Sequence, residues 1–217
     1  MYVSPQIVVG FHGCDRSTSD LVIQQNSHLS SSENKYDWLG HGIYFWEGSY
    51  DRALDWAINS NKVTEPSAIG AFIRLGNRID LLDAAKIDYL KLGYEILEKE
   101  VASLGKALPQ NKSFRNGISF NRELDREVIQ RIHRFNNEVI AESLNLPDME
   151  GENKKLIQHH PNFIDSVRGM FPEGDEVYPG AGFLSQNHIQ LCIINPNCII
   201  GYFNPSPENG DYKRFLG

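Results

Sequence analysis

Apolar residues along the chain fall into short continuous runs and longer stretches with helical spacing. The short runs predict buried strands at 7–14, 43–46, 67–75, 188–194 and 198–203. The helically spaced stretches predict helices at 15–26, from Ser49 onward, at 87–104 and at 120–146. Ser17 or Ser19 is the expected cap of the first helix, and Ser49 that of the second. Strands and helices in one chain of 217 residues predict a single α+β domain over 1–217.

The remaining segments are assigned from turn residues and composition. Pro109, Asn111, Asn116 and Gly117 interrupt 105–121, which is predicted to be a connection. Residues 162–171 favour a short helix or an extended segment, and 172–182 an ordered loop. The strands at 188–194 and 198–203, separated by an Asn-Pro-Asn turn, predict a hairpin.

The stretch from Asp37 to Trp56 combines a glycine turn, a strand and a helix. Gly40 and Gly42 flank His41 and allow a close backbone approach, and the apolar run with Tyr44 follows directly. A lone tyrosine in a strand is more often a core aromatic than a ligand-binding residue. A second apolar strand ends in His12 and Gly13, so the two segments could together line a cleft.

These segments resemble the ADP-ribosyltransferase superfamily, in particular its diphtheria-toxin and poly(ADP-ribose) polymerase branch. The matching motifs are His12-Gly13, then Gly40-His-Gly-Ile-Tyr-Phe45, and a third motif with Gln190 on a strand. The resemblance implies a split β-sheet core with flanking helices, and a helical insertion at about 83–146. It also implies that NAD is the co-substrate.

The resemblance assigns His12, Tyr44 and Gln190 to catalysis and His12, Gly13, Gly42, Tyr44 and Trp56 to NAD binding. Loss of nicotinamide leaves oxocarbenium-like charge on the ribose, so the site must hold NAD bent and stabilise that charge. His12 would contact a ribose hydroxyl, and the Gly13 backbone would hold the carboxamide. Tyr44 would stack on the nicotinamide ring, with Tyr50 or Trp56 over its other face.

Gln190 stands where the fullest form of the motif has glutamate. An amide can accept a hydrogen bond but cannot act as a base, which argues against polymer elongation. The function implied is a mono-ADP-ribosyltransferase, a glycosyltransferase acting on a protein or nucleic acid. Glu47, Glu173, Asp175 and Glu176 are candidate bases by position alone, and for each a solvated carboxylate is the commoner role.

Composition restricts the partners, the cellular compartment and the metal content that are expected for this protein. The net charge of −7 gives no overall attraction to nucleic acid or anionic membranes. No apolar run is long enough to span a bilayer and the start of the sequence lacks signal-peptide features, so a cytoplasmic protein without membrane contact is expected. Three cysteines without a Cys-x-x-Cys pair, and histidines without ligand spacing, favour reduced thiols and no metal.

Three functions remain open from the sequence. The first is macromolecular ADP-ribosylation by an intracellular toxin or antiphage effector, for which a neutralising antitoxin protein is the expected partner. The second is an NAD glycohydrolase, and the third is a non-catalytic module that binds NAD or a partner. The charged face of the long helix, which includes Arg122, Arg126, Arg131, His133 and Arg134, is predicted to be mainly solvated.

Overall fold

The computed structural model describes residues 3–25, 27–115 and 118–205. Within these residues the fold is α+β, as predicted, with a seven-stranded mixed sheet, a two-stranded ribbon and five helices. The strands are β1 (Ile7–Asp15), β2 (Ile43–Glu47), β3 (Pro66–Arg74), β4 (Arg78–Asp80), β5 (Lys112–Arg115), β6 (Ile118–Asn121), β7 (Ser166–Phe171), β8 (His188–Ile193) and β9 (Ile199–Phe203). The helices are α1 (Arg16–Gln24), α2 (Tyr50–Asn59), α3 (Ala84–Ser103), α4 (Glu123–Ser143) and α5 (Gly151–Gln158).

The main sheet has the order β4-β7-β8-β2-β1-β3-β9. The pair β4–β7 is parallel and the other neighbours are antiparallel. The strands that carry His12, Tyr44 and Gln190 are therefore three consecutive strands in the middle of the sheet. This order brings together residues that are far apart in the sequence.

Helices cover both faces of the sheet. On one face Val22 of α1 packs with Phe45, Ile69 and Ile73. On the other face Ala53 of α2 packs with Phe11 and Trp46, and further along the same face α3 and α4 pack over Cys192 and Val167. We call these the α1 face and the α2 face, and strand alternation assigns each strand residue to one of them.

Helix starts follow local chemistry, with one difference from the prediction. Asp15 caps α1 in place of Ser17 or Ser19, because its carboxylate accepts a hydrogen bond from the backbone N–H of Ser17 at 3.1 Å. The backbone N–H groups of Glu65 and Thr64 also donate to Asp15, and these bonds lower its pKa to about 2. Ser49 occupies the N-cap position of α2 as predicted, although its side chain makes no capping bond.

The predicted C-terminal hairpin is wrong. β8 pairs with β2 and β7 in the middle of the sheet, whereas β9 pairs with β3 at an edge. The turn between them, a short 3-10 helix at Pro196–Cys198, therefore leads to a strand that crosses to the far edge. The short sequence separation of the two strands favoured a hairpin. In the sheet, however, β2, β1 and β3 lie between β8 and β9, so these two strands do not pair.

The segment 105–121, predicted to be a connection, contains the ribbon β5–β6. Asn116 and Gly117 lie outside the described residues. Strand β4 and helix α5 were not predicted, and 162–171 contains a strand, β7. The predicted helices at 87–104 and 120–146 are present as α3 and α4, with shifted ends.

The charged face of α4 is mostly packed, which corrects the prediction of a solvated surface. The Arg131 side chain is 15% exposed and forms ion pairs with Glu100 of α3 and with Glu138. Arg126 is 11% exposed and pairs with Glu127. Arg131 thus links α4 to α3, whereas Arg126 pairs within α4, and a charge change at Arg131 would disturb the fold as well as any target contact.

His133 of α4 is buried, and its Nε2 atom has no hydrogen-bond partner within the described part of the chain. Burial lowers its pKa from 6.5 to about 4. Because the unfolded chain binds the proton more readily, His133 lowers stability progressively as the pH falls from about 6.5 towards 4. We therefore expect His133→Leu to flatten the decline in stability over this range, measured by urea unfolding at several pH values. An equally steep decline in the variant would contradict the assignment.

No described helix has both the length and the apolar character needed to cross a membrane. Within the described ranges, no three His, Cys, Asp or Glu side chains are grouped as metal ligands.

Candidate functional site

The sheet opens between β1 and β2 next to the predicted site residues. β1 pairs with β3 at nine positions but with β2 at two, Gly10 with Glu47 and Phe11 with Trp46. At the next position the His12 imidazole crosses this gap, and its Nδ1 atom donates to the carbonyl oxygen of Tyr44 at 2.7 Å. The hydrogen bond thus replaces strand pairing where the two motif strands diverge.

His12 is half-buried on the α1 face, beside Phe45, with ring centroids 5.8 Å apart. Burial lowers its pKa, an effect partly opposed by the hydrogen bond to Tyr44. The imidazole is therefore neutral at pH 7, and the proton on Nδ1 leaves a lone pair on Nε2. Nε2 can accept a hydrogen bond from a ligand hydroxyl.

Tyr44 directs its side chain to the α2 face. Its hydroxyl accepts from the backbone N–H of Leu39 at 2.9 Å and donates to the carbonyl oxygen of Gly40 at 2.8 Å. Burial raises the pKa of Tyr44 well above its usual value, so the hydroxyl stays protonated. Both bonds fix the glycine turn on the sheet and leave the half-buried ring as the surface that a ligand could contact.

Gln190 also lies on the α2 face, where it is the register partner of Trp46. Its Oε1 atom accepts from the indole Nε1 of Trp38 at 2.6 Å, and its Nε2 atom lies 3.0 Å from Nε2 of His188. An indole N–H can only donate, so Oε1 faces Trp38 and the amide N–H faces His188. His188 Nδ1 donates to the carbonyl oxygen of Gln186 at 2.8 Å, which leaves its Nε2 as the acceptor.

Five rings form a continuous series around Gln190, which we call the aromatic row. The row contains, in order, Trp56, Trp46, His188, Phe171 and Trp38. Successive ring centroids are 5.9, 6.1, 5.6 and 5.6 Å apart. Successive rings are tilted by 37° to 46°, so the row is a packed aromatic layer on the α2 face, with Trp56 as its most exposed member.

The sequence analysis found only Trp56 in this row. His188 lies two residues before Gln190 on the same strand, so strand alternation was a signal that could have placed both on one face. Trp38 is 152 positions from Gln190, and no local pattern signals that hydrogen bond.

A charged group borders the aromatic row at His188. Arg52 of α2 forms an ion pair with Glu173 at 2.7 Å, and a Glu173 carboxylate oxygen lies 3.6 Å from His188 Nδ1. Burial is the main cause that lowers the pKa of His188 and Arg52 acts in the same direction, whereas Gln186 and Glu173 oppose them. His188 is accordingly neutral at pH 7 and serves as an acceptor.

The two predicted glycines lie where a side chain would not fit. A Cβ atom on Gly13 would lie 2.1 Å from the carbonyl oxygen of Ala53 and 3.2 Å from the Trp56 ring. A Cβ atom on Gly42 would lie 2.5 Å from Sγ of Cys192. Gly13 therefore brings α2 and Trp56 onto β1, and Gly42 brings the glycine turn onto β8.

Among the four candidate bases, Glu47 is committed to a structural role. Its carboxylate receives two hydrogen bonds from Arg168, at 2.6 and 2.9 Å, on the α1 face. Arg168 also contacts Asp80 at 3.2 Å. Glu176 accepts from the backbone of Gly180, and Glu173 is the candidate that lies beside the aromatic row.

A largely apolar cavity of about 500 Å³ lies between α3 and α4. Leu90, Tyr94 and Val128 are among its lining residues, and Trp38 forms part of its wall. The Arg122 guanidinium covers the Trp38 ring at 3.9 Å. Trp38 thus connects this cavity to Gln190 and to the aromatic row.

The strands β1, β2 and β8 are adjacent, and Tyr44, Gln190 and Trp56 lie on the α2 face, where Gly13 contacts Ala53 and Trp56. His12 projects to the α1 face and reaches β2 through the backbone of Tyr44. Comparisons with protein-family models, curated proteins and solved structures found no match.

Proposed function

We propose that this protein is an NAD-dependent mono-ADP-ribosyltransferase that modifies a protein or nucleic acid. The observation that carries the proposal is the adjacency of β8, β2 and β1, since these strands hold the three motifs of the resemblance. The diverging edge of β1 and β2, bridged by His12, is consistent with a split sheet that receives a bent dinucleotide. A ligand lying across this edge would reach residues on both faces.

Each residue has a role that its hydrogen bonds allow. His12 Nε2 accepts a hydrogen bond from a ribose hydroxyl, because its Nδ1 proton is engaged with Tyr44. Tyr44 and Trp56 provide ring surfaces for nicotinamide. Gln190 presents its carbonyl dipole towards the ribose as positive charge develops, once the substrate competes with Trp38 for Oε1.

A protonated acceptor must also lose its proton during transfer. Gln190 cannot take it, and Glu47 is engaged with Arg168. Glu173 is also paired, with Arg52, but it is 35% exposed and lies beside His188, so it is the carboxylate that an incoming acceptor can reach. An acceptor that is already nucleophilic would not need it.

A non-catalytic NAD-binding module is the second candidate. Both polar atoms of Gln190 are already bonded, to Trp38 and His188, which favours a structural role for this residue. The NAD glycohydrolase differs from the transferase only in using water as the acceptor. As a transferase the protein would act as an intracellular toxin or antiphage effector, and an antitoxin protein would bind over the site.

The direct test uses NAD labelled in its adenylate phosphate, incubated with the protein and a cell extract. We expect label on a macromolecule, removed either by protease or by nuclease, which would identify the acceptor class. His12→Ala should reduce labelling by about 100-fold, the scale for losing one positioned polar group in an active site.

The matched control is His159→Ala, because His159 is an exposed histidine at the end of α5. It should label like the wild type. Thermal unfolding of both variants separates lost chemistry from lost folding. Nicotinamide release without labelling would favour the glycohydrolase, whereas NAD binding without either product would favour the binding module.

A further inference from the structure

The cavity between α3 and α4 has no role in the proposed function. Its volume of about 500 Å³ lies within the range of sites that bind small molecules. None of His12, Tyr44 and Gln190 is among the described residues that line it. It is therefore a separate candidate site, which we call the helix cavity.

Two helices form the walls of the helix cavity with the same spacing of residues. Each contributes positions i, i+1, i+4 and i+5, starting at Leu90 in α3 and at Leu124 in α4. Such a spacing covers one side of a helix. Next to this side the two helices cross closely, since a Cβ atom on Gly93 would lie 2.5 Å from Cγ1 of Ile132. The crossing fixes the position of one wall relative to the other.

The helix cavity leads from the protein surface to a buried, apolar interior. Lys91 and Glu95 line it on α3, and both residues are exposed. The buried part of the lining includes Val128, Ile129 and Trp38, which are 6%, 1% and 4% exposed. A ligand can thus enter from water and reach apolar side chains.

The charges of the lining restrict the chemistry of such a ligand. Both cations of the described lining are already paired, Arg122 with Asp125 at 2.6 Å and Lys91 with Asp88 at 2.8 Å. An anionic ligand would lose hydration without gaining an unpaired counter-charge among these residues. Glu95 is exposed and remains hydrated at the entrance. The lining therefore favours a neutral apolar ligand.

Trp38 lies where the helix cavity approaches the candidate site. The Arg122 guanidinium covers its ring at 3.9 Å, and its indole N–H donates to Oε1 of Gln190 at 2.6 Å. These two contacts hold the indole in one orientation against the cavity. A molecule bound there would contact the ring of Trp38, so the indole N–H signal reports its presence.

We propose that the helix cavity binds a small, neutral, apolar molecule that lies between α3 and α4 against Trp38. Apolar cavities bind neutral aromatic molecules, because water inside them finds few hydrogen-bond partners. Removal of apolar surface from water supplies the binding free energy. This inference is independent of NAD and goes beyond the proposed function.

The test compares two fluorescent probes that share one ring system. N-Phenyl-1-naphthylamine is neutral, whereas 1-anilinonaphthalene-8-sulfonate carries a sulfonate group. We expect the neutral probe to bind with an increase in fluorescence, and the anionic probe to bind about tenfold more weakly because its sulfonate must lose hydration. Absence of binding by the neutral probe would overturn the proposal. Equal or tighter binding of the sulfonate would also overturn it.

A pair of variants places the neutral probe in the helix cavity. Leu90→Gln makes the wall polar at nearly constant size and should weaken binding about threefold to tenfold, the scale for losing one apolar contact. Leu92→Gln is the matched control, because Leu92 is 47% exposed and is not among the described lining residues. It should bind within about twofold of the wild type. Equal affinities of the two variants would contradict binding at this cavity, and thermal unfolding shows that both are folded.

A further measurement leaves the cavity wall unchanged. The chain has three tryptophans, so the ¹⁵N-labelled protein gives three indole N–H signals, assigned with Trp38→Phe and Trp56→Phe. Unlabelled indole, a smaller neutral aromatic molecule, should displace the neutral probe and shift the Trp38 signal of the wild type. An unmoved Trp38 signal at indole concentrations that displace the probe would overturn the proposal.

The outcomes separate this inference from the proposed function, because none of these measurements uses NAD. Probe binding with the expected variant effects, in a protein that does not turn over NAD, would keep the helix cavity as a binding site and remove the transferase. NAD turnover without probe binding would remove the binding site and keep the transferase.

Discussion

Arg168→Met is expected to lower the free energy of unfolding by about 3–5 kcal/mol, the range for removing one partner of a buried ion pair. The Arg168 side chain is 6% exposed, and it contacts Asp80, which is 3% exposed, and Glu47, which is 17% exposed. Methionine would fill much of the space but leave both carboxylates without this cation. Urea unfolding at pH 7 measures the change.

Lys155→Met provides the matched control, since Lys155 and Glu152 form an exposed ion pair on α5. Its loss should change stability by less than about 1 kcal/mol. A loss below about 1 kcal/mol for Arg168→Met as well would contradict a stabilising role for the buried ion pairs of Arg168 with Asp80 and Glu47. Glu47 would then again be a candidate for the general base.

Gln190→Glu is expected to raise the pKa of His188, because a nearby carboxylate favours the protonated imidazole. At present the Gln190 amide donates to the lone pair on His188 Nε2. A carboxylate at position 190 has no proton to donate there, so it favours protonation of His188. The wild-type pKa is lowered by burial, which makes the change easy to distinguish. NMR titration of the imidazole signals measures it, with His188→Gln to assign the resonance.

Gln190→Met is the control for the charge. It removes the same hydrogen bond without adding a carboxylate, so the pKa of His188 should stay below its usual value. A pKa of His188 that stays equally low in Gln190→Glu would contradict the contact between the side chain at position 190 and His188. The result also bears on function, because a protonated His188 would bind the carboxylate and withhold it from the ribose.

Local patterns predicted the elements that depend on local chemistry. The β2–α2 unit, β3 and the α4 helix were found because apolar runs and helical spacing are properties of neighbouring residues. The ribbon β5–β6 was missed, because the turn residues in this segment favoured a connection and its two strands have only four residues each. The cap of α1 was misplaced because Asp15 also receives bonds from Thr64 and Glu65, the two residues before β3, which no local pattern indicates.

Non-local pairing was the part that the sequence did not reveal. Nothing near Cys198 indicates that β9 pairs with β3 and not with β8. Motif order did lead to His12, Tyr44 and Gln190, and their strands proved adjacent. The aromatic row depends on contacts between residues more than a hundred positions apart, such as Trp38 with Phe171 and Trp46 with His188, so only the structure reveals it.

Release of nicotinamide from NAD is the measurement that tests the central claim most directly, because every catalytic form of this account breaks the same bond. Purified protein is incubated with NAD, with and without cell extract, and nicotinamide is separated and quantified. The account predicts release by the wild type and about 100-fold less by His12→Ala, with His159→Ala unchanged. Absence of release from folded wild-type protein under both conditions would contradict the proposed enzyme.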